Sequence, residues 1–184
     1  PSSISGGAMT LLATQTASSS STISFTSGID DTYDKYVFKF YNIHPATDGV
    51  TFEFQGSTNG GSTYGVTITS SVFQAYHQEN DAGAGIQYAT NNDLAQSTSF
   101  QKITGDLGNQ NDECGSGIVQ LFNPSSTTFV KHFITRENGQ QNNEQSVNVF
   151  AAGYFNTTSA INAVQFKMSS GNIDSGVIKL YGIS

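Results

Sequence analysis

Asp30, Asp31 and Asp34 form the densest group of carboxylates in the chain, and oxygen ligands of this kind hold hard cations such as Ca²⁺. Their spacing is not that of an EF-hand loop. Clustered aspartates are also ordinary turn formers, because the short carboxylate accepts from nearby backbone N–H groups, so no metal site is assigned. His44, His77 and His132 are scattered, and none stands at a ligand spacing from another His or from Cys114. His132 alternates with Val130 and Ile134, which predicts a partly buried, hydrogen-bonded strand histidine. Cys114 follows Asp112 and Glu113, whose charge disfavours a thiolate, so it reads as an inert small residue. The chain has no nucleophile elbow, phosphate-binding loop or HExxH helix. A glycosidase-type carboxylate pair would have to be assembled from distant strands, and the sequence nominates none. The reading is a chain that is not an enzyme and carries no catalytic residues, no cofactor and no metal.

The elements that would position these residues are strands. Val50, Phe52 and Phe54 alternate with Thr51, Glu53 and Gln55, the pattern of a half-buried strand. Residues 35–43 place Tyr36, Phe38 and Phe40 on one face and Val37, Lys39, Tyr41 and Ile43 on the other, so both faces should be partly covered. The link from His44 to Gly49 carries Pro and Asp-Gly turn signals, which joins the two as an antiparallel hairpin. Period-two patterns recur at 64–69, 118–122, 128–135, 147–155, 163–168 and 177–183, with a weaker strand at 23–26 and possible ones near Met9 and Phe100. Segments 137–144 and 169–175 read as turn-rich links, and no segment has a helical period with caps. The expectation is an all-β, antiparallel β-sandwich, jelly-roll-like, with about eight to eleven strands. Residues 9–184 form one such domain, and the Gly- and Ser-rich residues 1–8 form a flexible arm that orders on a neighbouring subunit.

Residues 79–98, rich in Gly, Asn and Asp, read as a long exposed loop, and with residues 105–117 they are the first candidates for a contact surface. The residues singled out for such a surface are Tyr76, just ahead of the first loop, and Tyr88, Asn91 and Asn92 within it. Tyr76, Tyr88 and Tyr41 could stack on a sugar ring, or pack against cross-strand neighbours or a second subunit.

Composition narrows the partners. The formal net charge is −7, and Arg136 is the only arginine. Phosphate binding needs clustered Lys and Arg, so nucleic acid is not expected as a partner, and adhesion to an anionic membrane through a basic patch is disfavoured. Ser, Thr, Asn and Gln supply 72 residues, yet the 13 Phe and 8 Tyr recur at intervals that disordered chains do not show. With a single cysteine, stability must come from packing or association rather than an internal disulfide. No apolar run approaches a membrane span, the first residues lack signal-peptide features, and the leading Pro is consistent with removal of an initiator Met. A soluble protein made in a cytosol is the expectation.

Three segments carry a likeness. Phe25-Thr26-Ser27-Gly28-Ile29-Asp30-Asp31-Thr32-Tyr33-Asp34-Lys35-Tyr36, then Asn59-Gly60-Gly61-Ser62-Thr63-Tyr64, then Gly171-Asn172-Ile173-Asp174-Ser175-Gly176-Val177-Ile178-Lys179-Leu180-Tyr181-Gly182 together resemble small virion surface proteins of tailed bacteriophages, particularly of marine and freshwater hosts. The resemblance implies a capsid decoration (cement) protein assembled in the host cytoplasm and seated on the outer surface of the head. Its implied partners are the major capsid protein, other virion proteins and further copies of the chain, as a trimer. A tail fibre or spike module that contacts host surface glycan is the alternative. No site residues come with the likeness.

Overall fold

A computed structural model describes residues 9–184, and the expected arm at residues 1–8 lies outside the described residues. The strands are β1 (Thr10–Ser20), β2 (Ile23–Phe25), β3 (Lys35–Pro45), β4 (Phe52–Ser57), β5 (Ile68–Gln78), β6 (Ala84–Tyr88), β7 (Gln101–Lys102), β8 (Gly115–Phe122), β9 (Lys131–Gln141), β10 (Gln145–Phe155), β11 (Ala163–Met168) and β12 (Ile173–Ile183). They form two antiparallel sheets, an eight-stranded one in the order β1-β12-β3-β8-β9-β10-β5-β6 and a four-stranded one in the order β2-β11-β4-β7. Strands β2-β11-β4-β7 facing β3, β8, β5 and β6 follow jelly-roll order. The β9–β10 hairpin is inserted between β8 and β5, and β1–β12 widens the edge beside β3.

Alternation drives this arrangement. Phe38 and Phe40 from β3 meet Phe25, Phe52 and Phe166 of the small sheet, and Phe133 and Phe155 of the large sheet extend the same layer over Phe54. Most of these rings meet edge to face, the geometry that their quadrupoles favour. Beneath them the Asp30 turn is tied down by Tyr36. The Tyr36 hydroxyl donates to Asp30 Oδ1 at 2.9 Å and accepts from the Asp30 N–H at 3.1 Å, while Oδ1 also accepts from the Thr32 N–H. The Asp30 carboxylate is therefore turn chemistry, and Thr32 followed by Tyr36 holds its pKa below the ordinary value. Tyr36→Phe should cost about 1–3 kcal/mol, because the Asp30 N–H then loses its partner; a urea melt checks this.

Several expectations need correction. The strands read at 35–43 and 50–55 do not pair as a hairpin: β3 lies in the eight-stranded sheet and β4 in the four-stranded one, so the His44–Gly49 link crosses between the layers. Twelve strands form where at most eleven were read. The extra one is β6, inside residues 79–98, which pairs with β5 through backbone bonds while Ile86 stays 78% exposed. An edge strand that buries little leaves no apolar signature in the sequence. Strand β5 begins at Ile68 rather than residue 64, because residues 64–67 run outside the small sheet and the Val66 carbonyl accepts from Gln55 Nε2. That segment and residues 94–100 cover the outward side of β4, so Glu53 and Gln55, expected on a solvent face, are buried. Strand β9 continues to Gln141 instead of ending near 135. Its inward residues there are Glu137, Gly139 and Gln141, which are polar or lack a side chain and so disguise the strand. His132 is exposed, with Ile134 and Arg136 on the same outward face, because Lys131 and Phe133 take the inward positions. In β3, a bulge after Phe40 with Asn42 at φ 49° turns Ile43 into the core. Gly176 of β12 meets this bulge at φ 132°, and a Cβ there would lie 2.9 Å from the Asn42 carbonyl oxygen.

Candidate functional site

Three of the four residues singled out from the sequence, Tyr88, Asn91 and Asn92, line one polar groove of about 560 Å³. Its floor is the inward side of the β5–β6 hairpin, where Gln74 and Gln87 are cross-strand partners. After β6 the chain turns back. The Ala89 N–H donates to the Val72 carbonyl and the Asn92 N–H to that of Ala89. Gln101 Nε2 then donates to the Asn92 carbonyl at 2.9 Å and Lys102 Nζ to that of Asn91 at 3.2 Å. These bonds clamp the backbone and leave the side-chain amides of Gln74, Gln87, Asn91 and Asn92 without partners among the described residues. Gln141 and Gln145 close the far wall, with the Gln145 amide donating to Gln141. Amides that both donate and accept suit a polyhydroxylated ligand.

Tyr76 does not join this groove. It lies half-buried on the inward face of β5, packed with Val72, Val147 and Val149. Tyr88 pairs with Phe73 across the outward face, and its hydroxyl donates to Asp93 at 2.7 Å, which raises its pKa above the ordinary tyrosine value. The histidines stay apart. His44 Nδ1 lies 2.7 Å from the Glu113 carbonyl oxygen, His77 meets Asp81, and His132 touches the edge of Tyr154. Burial raises the Cys114 thiol pKa, with Glu137 adding to it, so the acidic influence comes from the facing strand rather than from Asp112 and Glu113.

Two features escaped sequence reading. One is the buried Glu137 carboxyl, set among Leu107, Gly115 and Gly139 with neither oxygen hydrogen-bonded among the described residues. Desolvation pushes its pKa well above the usual carboxylate range. The other is the outward face of the large sheet. There Phe73 and Phe150 stack with ring centroids 4.8 Å apart, Arg136 lies 5.2 Å from the Phe150 ring, and Phe73 and Ile134 are each 47% exposed. Of the cations on this face, only Lys39 was placed on a strand face by its alternation in the sequence; Arg136 fell beyond the end read for its strand, and the register that aligns it with Lys39 and Lys179 has no local signature.

The fold and these surfaces define a class: an antiparallel β-sandwich presenting one broad aromatic and basic sheet face and one amide-lined groove. No protein-family model matches the chain, and neither a curated protein nor a solved structure was found to be similar to it.

Proposed function

We propose that this chain is a virion structural protein, an outer capsid decoration protein that binds the phage head and stabilises it. The observation that carries this reading is the outward face of the eight-stranded sheet, where Leu11, Tyr41, Phe73 and Ile134 are exposed on one continuous hydrogen-bonded plane. Exposed apolar and aromatic side chains carried on one rigid sheet face, beside the stacked Phe73 and Phe150 rings, fit the kind of surface that protein interfaces use. The partners are the major capsid protein and further copies of the chain, with a trimer as the assembly. The resemblance of three segments to phage surface proteins supplies the virion setting. The test is stoichiometry in purified virions, measured against the major capsid protein. Many copies per particle, with heads that break at lower temperature when the protein is absent, support decoration. Few copies with loss of adsorption overturn it.

The second reading, a tail fibre or spike module contacting host glycan, is favoured by the free amides of the groove at Gln74, Gln87, Asn91 and Asn92.

A further inference from the structure

Carboxylates outnumber cations two to one in this chain, yet among the described residues the cations of the large sheet's outward face are unpaired. Among the described residues, the one ion pair of a Lys or Arg is Lys167–Glu53 at 3.9 Å. Lys131 is buried on the carbonyls of Phe129 and Thr157, and Lys102 donates to that of Asn91. Lys39, Arg136 and Lys179 have no carboxylate partner among the described residues, and neither has Lys35 at the start of β3.

Register places these three in one cross-strand row that runs from Phe73 through Phe150, Arg136, Ile118 and Lys39 to Lys179. Neighbours in such a row are about 4.8 Å apart. Lys39 stands directly opposite Lys179, a like-charge pairing that costs stability. Each is folded over a tyrosine instead of an acid, with Lys39 Nζ 5.3 Å from the Tyr181 ring and Lys179 Nζ 5.7 Å from that of Tyr41. The row is thus a strip of positive charge and aromatic surface that an anionic partner would relieve.

The complementary surface is on the same molecule, at one end of the sandwich. Four turns converge there: the Glu79 N–H donates to the Glu144 carbonyl, Asn142 to that of Asp106, and Asn109 to the Asp48 carboxylate. They expose Asp48, Glu79, Asp81, Asp106, Asp112 and Glu144, and residues 46–49, 79–83, 105–114 and 142–144 contain no Lys or Arg.

We infer that the Arg136–Lys39–Lys179 row docks the acidic turn end of a second copy of this chain, head to tail. This rests on the assembly reading above and names the surface through which copies meet. Each copy then offers one face and one end, a heterologous contact that closes into a ring when the rotation allows. Phe73 and Ile134 beside the row supply apolar contact area, and the ion pairs set orientation.

Sedimentation velocity of the purified full chain tests this. At about 50 mM NaCl the chain should sediment as an assembly, and at about 500 mM, where screening shortens the reach of surface charge, as a monomer. Lys39→Glu/Lys179→Glu on the face, or Asp112→Lys/Glu144→Lys on the end, should each abolish association at low salt while leaving the β spectrum intact. Mixing the two variants should restore association at low salt in species that contain both chains, because the acidic end of the face variant meets the basic face of the end variant and the reversed end meets the reversed face. A wild type that stays monomeric at low salt, an assembly indifferent to both charge reversals, or a mixture that stays monomeric overturns the contact. So does a monomer whose row instead retains it on an acidic polysaccharide column. Cosedimentation with heads is scored separately, so a chain that forms salt-sensitive assemblies but ignores heads overturns the virion reading and leaves this contact standing.

Discussion

Phe166→Ala should lower the unfolding free energy by about 3–5 kcal/mol, the cost of removing a fully enclosed aromatic ring and leaving its cavity. The ring is buried at the centre of the sandwich. It stacks on Phe52 at 5.5 Å and meets Phe38 at 5.3 Å, Phe54 at 6.2 Å and Phe25 at 6.3 Å. Phe38 belongs to the large sheet and the others to the small one, so this single side chain joins both layers. Domains are stable by only about 5–15 kcal/mol, and a loss of this size removes a large share. Urea unfolding should show a lower midpoint at unchanged slope. Phe166→Leu, which refills much of the volume, should lose clearly less. Equal losses for the two variants, or a loss for alanine below about 1 kcal/mol, would contradict the central position of this ring.

Glu137→Gln should stabilise the protein increasingly as pH rises. The carboxyl is 1% exposed, and burial raises its folded-state pKa well above the ordinary 4.5. Below that ordinary value it is protonated in both the folded and unfolded chains, and the substitution has little to relieve. Above it the unfolded chain releases the proton while the folded chain keeps it, so the stability associated with the protonated group drains away as pH rises. The slope is about 1.4 kcal/mol per pH unit and persists until the folded carboxyl itself ionises. Glutamine has the same shape and cannot ionise, which removes the slope. Melting temperatures of both proteins from about pH 4 to about pH 8 should diverge in this direction. Parallel curves would mean that Glu137 is not a buried neutral acid. Glu53, whose pKa burial also raises, contributes a slope of the same sign, and it remains in both proteins. Asp30, held low by Thr32 and Tyr36, acts in the opposite direction, so its stabilisation is lost as pH falls below its ordinary 3.8.

How much of this was legible depended on whether an inward position was apolar. Residues 36–40, 50–54 and 163–168 announce strands because their inward side chains are Phe, Val and Met. The second half of β9 does not, because Glu137, Gly139 and Gln141 occupy the same inward positions that Phe133 holds earlier. The signal vanished where the interior turned polar. Strand β6 was missed for the opposite reason, as it is held by backbone bonds at an edge and buries few side chains. Of the groove, Tyr88, Asn91 and Asn92 were found as loop residues, but Gln74 and Gln87 were not, because no local pattern distinguishes an amide facing a groove from one facing water. Tyr76 was grouped with Tyr88 although the two point to opposite faces of the same hairpin.

By itself the amino-acid order determined a disulfide-free sandwich of antiparallel strands, because alternation of aromatic and polar residues is a local property that each segment carries alone. Only the tertiary structure decided which outward residues became neighbours. Arg136, Lys39 and Lys179 are far apart along the chain, and their alignment depends on the pairing of β9 with β8, β8 with β3 and β3 with β12. A slip of one residue in any of these registers would turn a cation into the core, and the cost of burying that charge is what holds the row in place.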